Sequence, residues 1–241
     1  MSWTSLDNYQ IAYIVGSVVL LVLLYSSIAY ALVRDWYARF RPDLAGPDDP
    51  AQAIGPLERA GRMTQEDLVL MVERGGAAHL DAACLCFPSH WRLRDKLGHA
   101  TVDVHGPVPR YHDELAVKVD RYLARLRPGV IGVRRNWTIH DDPARFAPDR
   151  PAPRPLTDRD VPTQLWLRSE RQTMRRLPES GAVLFTIRVQ QTPFSSLAAR
   201  PDIARKLGAR IRAQPDELTA MNGIAPYRDA VVAWLRRAGP G

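Results

Sequence analysis

The chain has 241 residues, with 33 lysines and arginines against 26 aspartates and glutamates and a formal net charge of +7. Two cysteines are too few for a disulfide-stabilised fold, and no nucleic-acid-binding motif accompanies the basic residues. The arginine-rich excess fits anionic partners such as lipid headgroups or the carboxylates and phosphates of a cofactor, and nucleic acid is not expected.

A long apolar segment near the N-terminus is the first predicted element. No charged residue occurs between Asp7 and Arg34, and residues 11–33 are almost entirely apolar and contain no proline. Because about 20 such residues cross a bilayer as a helix, a transmembrane helix over residues 11–33 is predicted. A cleaved signal peptide is the alternative, and it would need a basic segment in front, which is missing.

Flanking charges predict the orientation of this helix. No Lys or Arg precedes it, whereas three arginines follow closely: Arg34, Arg39 and Arg41. The positive-inside rule therefore predicts a short extracytoplasmic N-terminus over residues 1–10, a single pass through the inner or plasma membrane, and a cytoplasmic C-terminal part. Residues 34–61, of which 42–61 are rich in Pro, Gly and Ala, are predicted to form a juxtamembrane linker, and residues 62–241 a folded domain.

The domain shows a mixture of strand and helix signals. Two apolar runs flank Gly75 and Gly76, which predicts a hairpin, and a turn over residues 178–181 separates two long strand candidates, 165–177 and 182–191. The other predicted elements are a short helical piece over 91–98, a strand over 101–105, a helix over 110–126, a strand over 130–139, a proline-rich loop over 143–162, and C-terminal helices over about 202–213, 215–222 and 226–237. This order predicts an α+β fold, with an antiparallel sheet of about five strands and helices over one face.

The predicted central strands carry many polar side chains. Alternation places Trp166, Arg168, Glu170, Gln172 and Met174 on one face of residues 165–176, and Arg171 and Arg175 on the other. The neighbouring strand adds Asn136 and Thr138. These side chains form either a solvated face or a polar pocket lined by paired charges, and both interpretations stay open at this point.

His105 has the most distinctive position among the six histidines. It ends a predicted strand and precedes a rigid Gly-Pro-Val-Pro turn, whose fixed backbone would hold a ligand imidazole well. The alternative is a structural histidine, which is the commoner case for a lone one. No histidine pair has zinc-site spacing, and no Gly-rich phosphate loop or nucleophile motif stands out.

Several blocks of sequence together resemble one known family. They are QEDLVLMVE at 65–73, CFPSHWRLRDKLG at 86–98, VHGPVPRYHDELAVKVDRYLARLRPG at 104–129, RNWTIHDDP at 135–143, LWLRSERQTMRRLPESGAVLFTIR at 165–188 and NGIAPYRDAVVAWL at 222–235. On these blocks the chain is similar to the heme-dependent oxidative N-demethylase alpha-subunit-like proteins, over about residues 62–237.

The resemblance implies a PAS-like fold, an antiparallel sheet with flanking helices that holds a b-type heme (heme b). It implies an oxygen-activating monooxygenase subunit that removes a methyl group from a small secondary alkylamine such as dimethylamine and releases formaldehyde. Electrons would come from an NADPH-dependent flavin and iron–sulfur reductase, and a folate-binding subunit would capture the formaldehyde.

The resemblance also implies roles for individual residues. His105, within HGPVP, would be the axial ligand of the heme iron, ahead of His90 and His140. Four arginines would pair with the heme propionates: Arg168, Arg171, Arg175 and Arg188. Three polar residues would lie near substrate or deliver protons: Glu170, Asn136 and Asp141.

The N-terminal part of the sequence departs from the family. The apolar segment and linker stand where relatives carry an upstream region. The alternative function is therefore a non-catalytic heme-binding or ligand-binding PAS-like module, either a sensor or an interaction protein.

Overall fold

The computed structural model of the protein describes residues 55–150 and 152–239. Contacts divide the chain into two compact units, Met1–Thr64 and Gln65–Gly241. Within the first unit, the described part contains one helix, α1 (Pro56–Arg62), which begins with a proline. A proline is well tolerated there because the first helical residue has no backbone acceptor to donate to.

No helix within the described ranges is long and apolar enough to cross a membrane. The longest described helix has 12 residues, whereas a bilayer needs about 20. The predicted fold class, with one transmembrane helix in front of the domain, is therefore wrong for the described structure, and it is corrected to an α+β fold. The segment over residues 11–33, on which that helix was predicted, lies outside the described residues, as do the predicted N-terminus and most of the predicted linker.

The second unit is built on a five-stranded antiparallel sheet. In chain order the strands are β1 (Glu66–Arg74), β2 (Ala77–Cys84), β3 (Ile131–His140), β4 (Trp166–Arg176) and β5 (Val183–Pro193). Their order across the sheet is β2-β1-β5-β4-β3. The predicted antiparallel sheet with flanking helices is thus confirmed.

Both predicted hairpins are present. Gly75 and Gly76 connect β1 to β2 with φ angles of 59° and 82°, a left-handed conformation that glycine adopts without a steric cost. The second hairpin connects β4 to β5, and Gly181 has a φ of 70° in its turn. Because β1 and β5 also pair, the two hairpins join into one sheet.

Helices lie on both faces of this sheet. Those of the second unit are α2 (Thr101–Val104), α3 (Ala116–Arg125), α4 (Val161–Gln164), α5 (Pro201–Arg212), α6 (Asp216–Met221) and α7 (Arg228–Ala238), with a π-helical turn at Tyr111–Leu115 before α3. Leu123 of α3 packs in a cluster with Met174 of β4. Trp234 of α7 packs in a second cluster with Ile139. Ile139 is paired with Leu167 of β4, and both side chains lie on the face opposite to Met174. The prediction of helices over one face only is therefore wrong.

Residues 101–105 form a helical turn and not the predicted strand. Helix α2 ends at Val104, and His105 is its C-terminal cap. The Thr101 hydroxyl donates a hydrogen bond of 2.7 Å to Asp120 of α3. The short apolar alternation in this segment is compatible with a strand or with one turn of helix, so contacts with α3, distant in sequence, decide the outcome.

Candidate functional site

The two faces of the sheet carry different polar groups. Directly paired residues of antiparallel strands project to the same side, and successive residues project to opposite sides. We call the side on which α3 packs the α3 face; on β4 it comprises Arg168, Glu170, Gln172 and Met174. We call the opposite side the Glu66 face; on β4 it includes Arg171 and Arg175.

Three of the four arginines predicted at the cofactor lie on the Glu66 face: Arg171, Arg175 and Arg188. Arg171 and Arg188 each form an ion pair with Glu66, at 3.7 and 3.8 Å. The fourth, Arg168, lies on the α3 face. The structure therefore does not bring the four arginines together around one group.

Arg168 is completely buried, with 0% of its surface exposed. Its Nη2 donates to the carbonyls of Phe87 (2.6 Å) and Pro88 (3.3 Å), and its Nη1 donates to the carbonyl of Arg145 (3.1 Å). Burial lowers the pKa of Arg168 from its ordinary value. These bonds attach two loops to the α3 face, so Arg168 acts as an internal support of the fold.

Asp67 of β1 is a buried carboxyl that the sequence analysis missed. It is 1% exposed, and its Oδ1 accepts hydrogen bonds from the backbone N–H groups of Cys86 (2.6 Å) and Phe87 (2.9 Å). Burial raises the pKa of Asp67 to about 6, although both hydrogen bonds and the charge of Arg168 lower it. Its Oδ2 has no hydrogen-bond partner among the described residues. The feature of the sequence that could have identified Asp67 is an aspartate within a predicted apolar strand.

Glu170 and Asn136 are directly paired across β4 and β3, so both lie on the α3 face. The Glu170 carboxylate accepts a hydrogen bond of 2.9 Å from the Gln172 amide. The two residues predicted from the alternating pattern are therefore neighbours, and together they present a carboxylate and an amide.

Asp141 lies apart from this pair, beyond the end of β3. It is five residues beyond Asn136, which corresponds to roughly 17 Å of extended chain. Its Oδ2 accepts a hydrogen bond of 2.8 Å from the Tyr227 hydroxyl and lies 3.7 Å from Arg154 Nε. Burial, followed by the hydrogen bond and charge of Asp141, raises the pKa of Tyr227 to about 12.

His105 is held in one orientation and one tautomer. Its Nδ1 lies 2.8 Å from the carbonyl oxygen of Thr101, and because a carbonyl only accepts, Nδ1 carries the proton. The lone pair of the neutral ring is then on Nε2. The ring stacks on Tyr111 with a centroid distance of 4.5 Å, and burial lowers the pKa of His105 below its ordinary value. At neutral pH the ring is therefore uncharged, which is the form that binds metal ions.

Two cations near His105 were not among the predicted site residues. The charges of Lys96 and Arg134 both lower its pKa, after the larger effect of burial. Arg134 lies on the α3 face, two residues before Asn136 on β3. Lys96 donates to the carbonyl of Val104, directly before His105. These two residues, rather than Arg171 and Arg188, supply positive charge next to His105.

His90 and His140 form a stacked pair, with ring centroids 4.5 Å apart. His140 is 3% exposed, and burial, with the charges of His90 and Arg168, lowers its pKa to about 3. Its Nε2 lies 3.1 Å from the Ser89 hydroxyl, and Arg150 Nε donates to His90 Nδ1 at 3.3 Å. The pair connects the loop after β2 to the end of β3, and both rings are already engaged there.

The described residues contain no group of three or more His, Cys, Asp or Glu side chains that could hold a metal ion. A single histidine, however, is sufficient for a metal whose other ligands belong to a macrocycle. The arrangement around His105 has the required donor, with the opposite ring nitrogen fixed by a backbone carbonyl.

Comparison with known families identifies a match over most of the chain. A sequence model of the family described as haem-dependent oxidative N-demethylase, alpha subunit-like, matches residues 36–232. The match begins at residue 36, upstream of residue 62, where the inferred resemblance begins. The resemblance inferred from those blocks is confirmed.

Proposed function

Because this chain belongs to the haem-dependent oxidative N-demethylase alpha-subunit-like family, we propose that it binds heme b through His105 and acts in the oxidative N-demethylation of a small secondary amine such as dimethylamine. The observation that carries this proposal is the 2.8 Å hydrogen bond from His105 Nδ1 to the Thr101 carbonyl. It fixes the tautomer in which Nε2 holds the lone pair, as histidine ligands generally require.

The chemistry of the residues near His105 suits a heme. The ring of Tyr111 supports the imidazole by stacking. On the α3 face, which also carries Arg134, the buried apolar side chain of Ile187 would pack against the macrocycle. Arg134 and Lys96 carry the positive charge that would pair with propionates, and they take the role first predicted for arginines that lie on the Glu66 face.

The proposed reaction consumes one secondary amine, one O₂, two electrons and two protons. It yields a primary amine, formaldehyde and water, so one oxygen atom ends in each of the last two products. Heme, when bound, supplies the activation of oxygen. An NADPH-dependent flavin and iron–sulfur reductase would supply the electrons, and a folate-binding subunit would remove the formaldehyde.

The polar groups of the α3 face suit the amine and its protons. A secondary amine is a cation at neutral pH, and the Glu170 carboxylate is an acceptor for its N–H groups, with Asn136 directly opposite. Asp67, whose pKa is raised to about 6, can release and recover a proton near neutral pH. Its Oδ2 has no partner among the described residues and so is available for that role.

An absorption spectrum tests heme binding. The full chain, expressed with heme available, should show a Soret band, and His105→Ala should abolish or shift it. His112→Ala is the matched control, since His112 is exposed and contacts Asp113, and it should leave the band unchanged. A chain without a Soret band would refute heme binding, and an unchanged band in His105→Ala would refute the ligand assignment.

Formaldehyde release tests catalysis separately. The heme-loaded chain, supplied with dimethylamine, NADPH and a flavin and iron–sulfur reductase, should release formaldehyde in proportion to methylamine. Heme-loaded protein that releases none under these conditions would favour the non-catalytic heme-binding module.

A further inference from the structure

A cavity of about 360 Å³ opens beside the second half of β5. This volume lies within the range of about 300–1,000 Å³ that is typical of small-molecule sites. The side chains that matter for its chemistry are Phe87, Arg145, Arg188, Gln190 and Gln191. Of the residues predicted at the heme site, only Arg188 contributes to its lining.

The cavity occupies a gap in the sheet. β4 pairs with β5 as far as Pro193, whereas β1 pairs with it only from Val183 to Arg188. The Phe194 N–H donates to the Leu165 carbonyl on the β4 side, at 3.0 Å. Backbone groups alternate in direction along an antiparallel strand, so the N–H and C=O groups of residues 189 and 191 point to the other side. There, β5 has no strand neighbour among the described residues.

The walls of the cavity are fixed by buried groups. The Phe87 N–H donates to Asp67 Oδ1 (2.9 Å), and its carbonyl accepts from Arg168 (2.6 Å). Arg168 also holds the carbonyl of Arg145, at 3.1 Å. Because Asp67 and Arg168 are both almost fully buried, the two loops that form the walls are held at defined positions on the sheet.

The groups facing the cavity are mainly hydrogen-bond donors. Arg145 and Arg188 contribute two guanidinium groups, and Gln65 positions the second through a 2.7 Å bond from Arg188 Nη2. Glu66 lies 3.8 Å from Arg188 and offsets one of these charges, which leaves the rim positive. Gln190 adds a neutral side-chain amide, and Gln191 lines the cavity with its amide donating to the carbonyl of Ala144 at 3.3 Å.

We propose that this cavity binds a small oxyanion, a carboxylate or a phosphate group carried by a small molecule. Arginine side chains bind both groups through paired hydrogen bonds, and the side-chain amide of Gln190 supplies a further donor. An amine substrate is a cation and is disfavoured by the two arginines, so this is a site separate from the proposed demethylation site.

Isothermal titration calorimetry of the full chain tests the proposal. Succinate and inorganic phosphate are the two probes, titrated separately, and chloride is added to keep the ionic strength constant. One of the two anions should bind saturably to a single site, and the tighter of the two identifies the chemical group. Arg145→Gln should weaken that binding about tenfold, the loss expected for one charge-assisted contact. Gln190→Glu should weaken it similarly, since it adds a like charge without removing packing.

Arg200→Gln is the matched control, because Arg200 is exposed, contacts Asp202 and does not line the cavity. The affinity of this variant for the anion should equal that of the wild type. Arg145 and Gln190 are also exposed, so both test variants should keep the wild-type melting temperature. Absence of saturable binding by either anion up to about 10 mM would overturn the proposal. So would binding that is unchanged in both Arg145→Gln and Gln190→Glu.

Discussion

Asp67 and Arg168 hold the same loop from two sides. Asp67 accepts the backbone N–H of Phe87, and Arg168 donates to the carbonyl of the same residue. Both side chains are almost fully buried. Burying a charge costs free energy that its hydrogen bonds offset, so each of the two side chains depends on the loop that it holds.

Replacement of Arg168 by methionine should therefore be strongly destabilising. Arg168→Met keeps the bulk of the side chain but leaves the carbonyls of Phe87, Pro88 and Arg145 without their donor. We expect the free energy of unfolding to fall by roughly 2–4 kcal/mol, as measured by urea denaturation. The control Arg210→Met, at an exposed position of α5, should change it by less than about 0.5 kcal/mol. Equal effects of the two substitutions on the free energy of unfolding would contradict the structural role of Arg168.

Asp67 should make stability depend on pH. Its folded pKa of about 6 lies above the ordinary value of 3.8, so the folded state binds the proton more tightly than the unfolded state. Above about pH 6, the ionised and buried carboxyl lowers the free energy of unfolding. This free energy rises again as the pH falls from about 6 towards 4, because the folded state then binds the proton. A shift of this size corresponds to at most about 3 kcal/mol.

The variant Asp67→Asn isolates this effect. Asparagine keeps an oxygen that can accept the N–H groups of Cys86 and Phe87, but it does not titrate. The unfolding free energy of the variant relative to wild type should therefore rise between about pH 4 and pH 7, as measured by denaturant titration at several pH values. A difference that stays constant with pH would show that Asp67 is already ionised throughout.

Helix α3 covers one end of the α3 face with a single apolar stripe. Leu123 is 4% exposed and packs near Val183 and Met174, whereas Val117 on the same helix is 66% exposed. Leu123→Ala should lower the free energy of unfolding by about 2–4 kcal/mol. Val117→Ala should lower it by less than about 0.5 kcal/mol. Similar losses in a urea titration of both variants would contradict this packing.

Elements with local signals were predictable from the sequence. The predicted strands over 130–139 and 165–177 correspond to β3 (Ile131–His140) and β4 (Trp166–Arg176), and both hairpins follow from turn residues. The turn of helix at 101–104 was not predictable, because its bond to Asp120 joins residues far apart in the chain. The coverage of both sheet faces also depends on helices distant in sequence from the strands that they contact.

The residues of the candidate site, like the elements of the fold, were only partly predictable from the sequence. Alternation along two strands correctly predicted that Glu170 and Asn136 share a face. It could not predict which arginines accompany His105, because strand pattern identifies a shared face but not which helix covers that face. Arg171 and Arg188 bind Glu66 instead. Lys96 and Arg134 become recognisable only once the loop and the strand that carry them are brought near His105.

At the scale of the whole molecule, the family match covers most of the unit Gln65–Gly241. The match extends over residues 36–232 and so includes the entire sheet. The net charge of +7 is consistent with the anionic groups that are proposed to bind near His105 and in the cavity beside β5. The predicted orientation and cellular location depend on residues 1–54, which lie outside the described part of the chain, so these remain predictions.

Heme ligation by His105 is the central claim for the whole molecule, and chemical rescue tests it most directly. The measurement is the absorption spectrum of heme-supplied full-length His105→Gly, recorded with and without added imidazole. The substitution should remove or shift the Soret band, and free imidazole should restore the wild-type spectrum by occupying the space of the missing ring. A band that is the same in His105→Gly as in the wild type, or a wild-type chain that takes up no heme, would contradict the claim.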